Sequence, residues 1–227
     1  MVRRELFCAI VLSVGIFGTI CCSEKSANGQ SLPPLPTVVR KTTVTFDIQW
    51  ATFQKLGFKL NDGIADVEQW KLKKQFENEP YSFLYQTLGR TIEQEPWTPL
   101  TNRVWAFDVE AVEDPGAYIE IMKNLERITR GEIKFESVKD HVDIENEKAW
   151  VSFSIRGKNY KWNLVVDNDW ADPKLFTKVS QLTHTLNTKG RFTYFNTGGQ
   201  TAVIGYETPE SKDAIVRATR LKIEWLN

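Results

Sequence analysis

Cysteine is missing from Ser23 to the last residue of this chain: Cys8, Cys21 and Cys22 all lie near the N-terminus. A domain without thiols has no disulfide framework, no thiolate nucleophile and no Cys-ligated zinc. Histidine is almost as scarce. His141 and His184 are the only two, so a multi-histidine zinc site cannot be assembled. Net charge is absent as well, with 29 Lys and Arg against 29 Asp and Glu. No global field therefore draws in nucleic acid or an anionic membrane. No apolar run reaches the roughly 20 residues of a comfortable membrane-spanning helix. There is no Walker loop, no Gly-x-Ser-x-Gly elbow, no His-Glu-x-x-His and no Asn-x-Ser/Thr acceptor.

What is present begins with a distinctive N-terminus. Arg3 and Arg4 precede an apolar run from Leu6 to Ile20, followed by Cys21, Cys22 and Ser23. This pattern predicts a secretory signal over residues 1–22, with an uncleaved N-terminal anchor as the alternative. A cysteine closing such a run also resembles the bacterial lipoprotein signal, which implies lipidation at Cys22 or Cys21; a non-lipidated secreted form stays open. Residues 23–37 are rich in Ser, Pro, Gly and Asn and end in Leu32-Pro33-Pro34-Leu35-Pro36. Such a segment buries no core and reads as a tether. The location implied is extracytoplasmic, anchored or secreted.

Residues 38–227 show no repeat and no break in composition, and a single α+β domain is the simplest account. Its most legible part is a β-meander over 132–166. Val151, Phe153 and Ile155 alternate with Ser152, Ser154 and Arg156, the period of a strand with one buried face. Tyr160, Trp162, Leu164 and Val166 repeat the pattern. Gly157-Lys158 suits a type II′ hairpin turn, which would pair Ile155 with Tyr160 and Phe153 with Trp162. The alternation shifts phase before Val142 and Ile144, the mark of a bulge or of a break between two short strands. Helices are expected near 115–130, started by Asp114-Pro115, near 173–187, started by Asp172-Pro173, and near 209–221, started by Thr208-Pro209. Together they would pack a mainly antiparallel sheet. Val44, Phe46 and Ile48 alternate as in a strand, and a helix is expected to follow from Trp50 to Gly57.

Two acidic groups invite chemistry. Asp167, Asp169 and Asp172, with Asn168, sit where the meander meets a helix. Clustered oxygens of this kind suit a hard cation, Ca²⁺ or Mg²⁺. The competing account makes Asp172 a helix cap and the others ordinary turn residues. Asp140, His141, Asp143, Glu145 and Glu147 form the second group, either acid/base machinery or a solvated hairpin tip.

The order helix, three strands, helix, strand over about 90 residues resembles the core of restriction-endonuclease-like nucleases. That resemblance implies an Asp on the second strand and Glu-x-Lys or Asp-x-Lys on the third. Here the second strand, Trp150 to Arg156, holds no carboxylate, the third, Tyr160 to Val166, lacks the motif, and Glu132-Ile133-Lys134 falls on the first.

Eight tryptophans are an unusual supply. Trp150 falls on the meander face opposite Phe153 and Trp162, and with Trp170 it forms a candidate interaction surface unless a helix covers it. The expectation is an exported, membrane-tethered domain that binds a protein or small ligand and touches the membrane through its N-terminus only. A divalent-metal-dependent hydrolase is the alternative, and it would need distant carboxylates such as Asp108 or Asp143 to converge on Asp169.

Overall fold

The computed structural model describes residues 43–64, 73–93 and 95–227. The signal, Cys21, Cys22 and the tether lie outside the described residues. The rest carries helices and two antiparallel sheets, an α+β architecture.

The described residues open with helix α1 (Phe46–Lys55), capped by the Thr45 hydroxyl, which accepts from the Ile48 amide at 3.4 Å. A strand expected through Val44, Phe46 and Ile48 is thus corrected. Phe46, Gln49 and Phe53 are buried at helical spacing while Ile48 is exposed, a pattern that five residues of alternation cannot exclude. Gln49 is fully buried and satisfied. Its amide donates to the Val44 and Phe76 carbonyls at 2.9 and 2.8 Å, and its carbonyl accepts from the Tyr81 amide at 2.8 Å. That knot holds α1 against α2 (Lys73–Asn78) and α3 (Ser82–Leu88).

The large sheet has the order β1-β6-β5-β7, from β1 (Val104–Asp108), β5 (Arg191–Asn196), β6 (Thr201–Glu207) and β7 (Glu224–Trp225). The small sheet is the meander, β2 (Glu136–Asp143), β3 (Lys148–Ile155) and β4 (Lys158–Leu164). Two apolar clusters fill the space between layers. One collects α1, α2, α3, Ile215 of α6 (Pro209–Thr219) and the large-sheet face bearing Val104, Phe195 and Val203. The other takes the opposite face, Trp105, Phe192, Ile204 and Tyr206, and packs it through α4 (Ala117–Ile128) and α5 (Pro173–Thr185) onto Val151, Phe153 and Ile155 of the small sheet. The layers run helix, sheet, helix, sheet. Of the helices expected on the meander, α6 belongs instead to the large sheet. The strand after α5, β5, also joins the large sheet, so the nuclease-like element order does not gather into one sheet.

The meander hairpin turns one residue earlier than expected. Ile155 pairs with Lys158, Phe153 with Tyr160 and Val151 with Trp162. Arg156 and Gly157 form the turn, with φ of 49° and 77°, and positive φ at both positions is the type I′ geometry favoured by strand twist. The register moves by two, so every side chain keeps its face. The anticipated bulge is present between Glu136 and Lys139.

Polar clamps tie the layers together. Arg103, just before β1, pairs with Glu207 at the end of β6, Nε to Oε1 at 3.0 Å and Nη2 to Oε2 at 2.5 Å. The same guanidinium donates to the Leu56 carbonyl at 2.5 Å and to the Ser211 hydroxyl at 2.7 Å, and lies 4.7 Å from the Phe58 ring centroid. One side chain thereby fastens the end of α1, two strands and α6.

Candidate functional site

The acidic loop does not gather its carboxylates. Asp172 is buried, and both oxygens are spent on backbone: Oδ1 accepts from the Lys174 amide at 2.9 Å and Oδ2 from the Val165 amide at 2.8 Å. It caps α5, as the competing account has it. Its own amide donates to the Tyr118 hydroxyl at 3.2 Å. Burial, then the Asp172 and Asp140 carboxylates, push that hydroxyl above its ordinary pKa, while its bond with the Asp172 amide acts in the opposite sense. Asp167 and Asp169 contribute carbonyls to the loop, accepting from the amides of Trp170 at 3.0 Å and Val112 at 2.9 Å. Among the described residues no three His, Asp or Glu side chains form a metal-holding group.

The second acidic group is dispersed in the same way. Asp140 points inward and takes the N-terminus of α4, its carboxylate accepting from Gly116 at 2.9 Å, Tyr118 at 3.0 Å and Ile119 at 3.3 Å. The expected cap, Asp114, is displaced by this carboxylate from a neighbouring strand; Gly116 stands at the cap position with φ of 107°. Asp143 closes the hairpin tip through Asn146, and Glu145 and Glu147 are exposed. Asp108 accepts from the Glu110 amide at 3.1 Å, on the sheet face opposite Phe107.

Trp150 and Trp170 meet different surroundings. Trp150 pairs across the small sheet with His141 and Asn163, where a Gly157-Lys158 turn would have set it opposite Val165. The His141 ring stacks at 6.0 Å and the Lys161 ammonium lies 4.2 Å from the indole. Because β3 lies between β2 and β4, these neighbours flank the ring from both sides, within a face of Lys139, Ser152 and other polar residues. It is a half-buried member of a polar ladder.

Trp170 stands at a cleft. The acidic loop is laced to the segment after β1: Ala171 donates to the Val109 carbonyl at 2.8 Å, and Glu110 bridges Trp170. This holds the indole, 41% exposed, at the mouth of a cavity of about 720 Å³. Strand register sets the floor. Ile204 lies opposite both Trp105 and Tyr194, and Tyr194 lies opposite Glu224; one row on, Ala202 lies opposite Phe107 and Asn196. Phe176 of α5 forms a wall, 5.3 Å from Phe107, which in turn stacks on Trp105 at 4.2 Å. Gly199, in the β5–β6 turn, and the C-terminal segment complete the lining. That segment is pinned to α5, the hydroxyls of Thr177 and Ser180 donating to the carbonyls of Asn227 and Leu226.

The chain matches no family model, no curated protein and no solved structure.

Sequence reasoning placed Trp170 at an interaction surface but did not assemble its companions. Phe107, Phe176 and Tyr194 come from three separate elements, each readable as core on its own. The signal that could have found them was a surplus: aromatic residues at the ends of amphipathic elements, where burial fades. In size the cavity falls within the roughly 300–1,000 Å³ of small-molecule sites, and it has their make-up, apolar walls with a few convergent polar groups. No helix among the described residues is long and apolar enough to cross a membrane.

Proposed function

We propose that this chain is an exported, membrane-tethered binding domain that takes a small, largely apolar organic molecule into the aromatic cleft. The observation that carries this reading is the cleft itself: a cavity of about 720 Å³ walled by Phe107, Phe176, Tyr194 and Trp170. A buried Trp or Phe needs no access to water. Here Trp170 is left 41% exposed over an unfilled space, although filling such space with side chains would stabilise the fold. The signal-like N-terminus and the Pro-rich tether support delivery outside the cytoplasm. Metal-dependent hydrolysis finds less support, because Asp172 and Asp140 are committed to backbone amides.

The test uses N-phenyl-1-naphthylamine, a neutral probe whose fluorescence rises in apolar surroundings, titrated into the full chain. Saturable binding is expected, and Gly199→Trp should abolish it. Gly199 lines the cleft, and a Cβ built there meets nothing within 4 Å, so an indole is accommodated at the cleft rim without a clash at its Cβ. Absence of saturable binding, or binding indifferent to Gly199→Trp in a folded variant, would overturn the reading.

A further inference from the structure

We infer that the ligand of the cleft is an organic cation, a substituted ammonium with apolar groups on nitrogen; this rests on the cleft being the binding site. Among the described residues that line the cavity, Glu224 is the only charged side chain, with no Lys, Arg or His. Strand pairing sets Glu224 opposite Tyr194, so its carboxylate shares a sheet face with the rings of Tyr194 and Phe107.

Aromatic faces carry negative electrostatic potential, and the Tyr194 ring beside the Glu224 carboxylate attracts a cation while repelling an anion. An ammonium bearing alkyl groups is the species that gains from both features of the cleft. Its substituents bury against the rings, and its charge is weakly hydrated and so is cheap to bring out of water.

Anionic ligands have one potential foothold, the N-terminus of α5 at Pro173. It is already answered by the buried Asp172 carboxylate, which accepts from the Lys174 amide at 2.9 Å, so its partial positive charge is matched from within. Cations do occur nearby, Arg191 at 4.8 Å and Lys212 at 5.2 Å from the Trp225 ring. Trp225 pairs with Thr193 and turns its ring to the opposite face of the sheet from Glu224 and Tyr194. Arg191 also donates to the Asn227 side chain at 3.4 Å, at the C-terminal edge of the lining, while Glu224 stands beside Tyr194 on the other sheet face.

The experiment compares choline with 3,3-dimethylbutan-1-ol, in which carbon replaces nitrogen and shape is kept. Both are titrated calorimetrically into the full chain and into Glu224→Gln, and both compete against the naphthylamine probe. Choline should bind about tenfold more tightly than the neutral isostere, and Glu224→Gln should remove about fivefold of that advantage, read as the ratio of the two affinities within each protein. Equal affinity for the two, or an advantage untouched by Glu224→Gln, overturns the cation assignment and leaves the cleft as a site for neutral ligands. Failure of the probe itself to bind overturns the cleft reading, and this inference with it.

Discussion

Removing the Glu207 carboxylate tests the way the helical layer is held to the large sheet. Glu207 is 1% exposed and Arg103 14%, so neither charge is dissolved in solvent. In Glu207→Gln the shape is kept and the negative charge is lost, leaving a buried guanidinium with only neutral partners, the Gln amide oxygen, the Leu56 carbonyl, the Ser211 hydroxyl and the Phe58 ring. Breaking one side of a buried pair costs about 3–5 kcal/mol, since the other charge stays desolvated. For a domain of this size each kcal/mol moves the midpoint by about 2–4 °C, so a fall of about 10 °C is expected. Arg103→Met should cost a similar amount. The double replacement Arg103→Met/Glu207→Leu removes both charges and should recover at least half of the single losses, because two apolar groups need no compensation. Urea unfolding followed by circular dichroism gives the three free energies of the cycle. If either single variant lies within about 1 kcal/mol of the parent, the pair is not buried in the energetic sense and the clamp argument is wrong.

Asp140→Ala should destabilise by about 2 kcal/mol through loss of the α4 cap, measurable by urea titration, and a loss below about 0.5 kcal/mol would refute its capping role. Asp172→Ala should lower the thermal midpoint, whereas millimolar Ca²⁺ or Mg²⁺ should leave the parent unmoved; a metal-dependent rise absent from the variant would reinstate the cation site. Tyr206 is pushed up from 10.0 to about 12 by burial and the nearby Glu132 carboxylate. A raised tyrosine pKa stabilises the fold fully below the unfolded value, so this contribution is lost as pH rises from 10 towards 12. Tyr206→Phe should flatten that part of the alkaline stability curve, and an unchanged slope would count against the assignment. In a Gram-negative host labelled palmitate should enter the parent and disappear from Cys22→Ser or Cys21→Ser; no label in the parent would discard the lipoprotein reading.

Much of the fold was legible where one periodicity ran long enough to be unambiguous. The meander, the amphipathic stripe of α4 and the Pro-started helices α5 and α6 all follow from local pattern and cap chemistry. Val44 to Ile48 misleads because so few alternating apolar residues fix no period, and Ile48 in fact faces solvent; the deciding residue was Gln49, a polar side chain whose burial depends on the Phe76 carbonyl and the Tyr81 amide, far along the chain. The hairpin turn shifted because Arg156 accepts a left-handed conformation that its residue type does not advertise. Partition of the strands into two sheets could not be read, since β1 joins the local β5–β6 hairpin only through long-range pairing. The cleft shared that limit: Phe107, Tyr194 and Phe176 lie on different elements, and only Trp170 was out of place enough to be noticed.

The bulge at Ser137, with φ of 53°, has a consequence for how the chain avoids mistakes. The extra residue turns Val138, Asp140 and Val142 towards α4 and leaves Lys139 and His141 outside. A strand paired without it would send Lys139 and His141 into the apolar layer and swing Asp140 away from the α4 amides. Each error alone is costly, and here they arrive together. Misaligned pairing therefore fails to support the helix that must pack on it, and the helix in turn cannot stabilise the misaligned sheet. The carboxylate acts as a proofreading contact, satisfied only when the meander has been zipped in its native register.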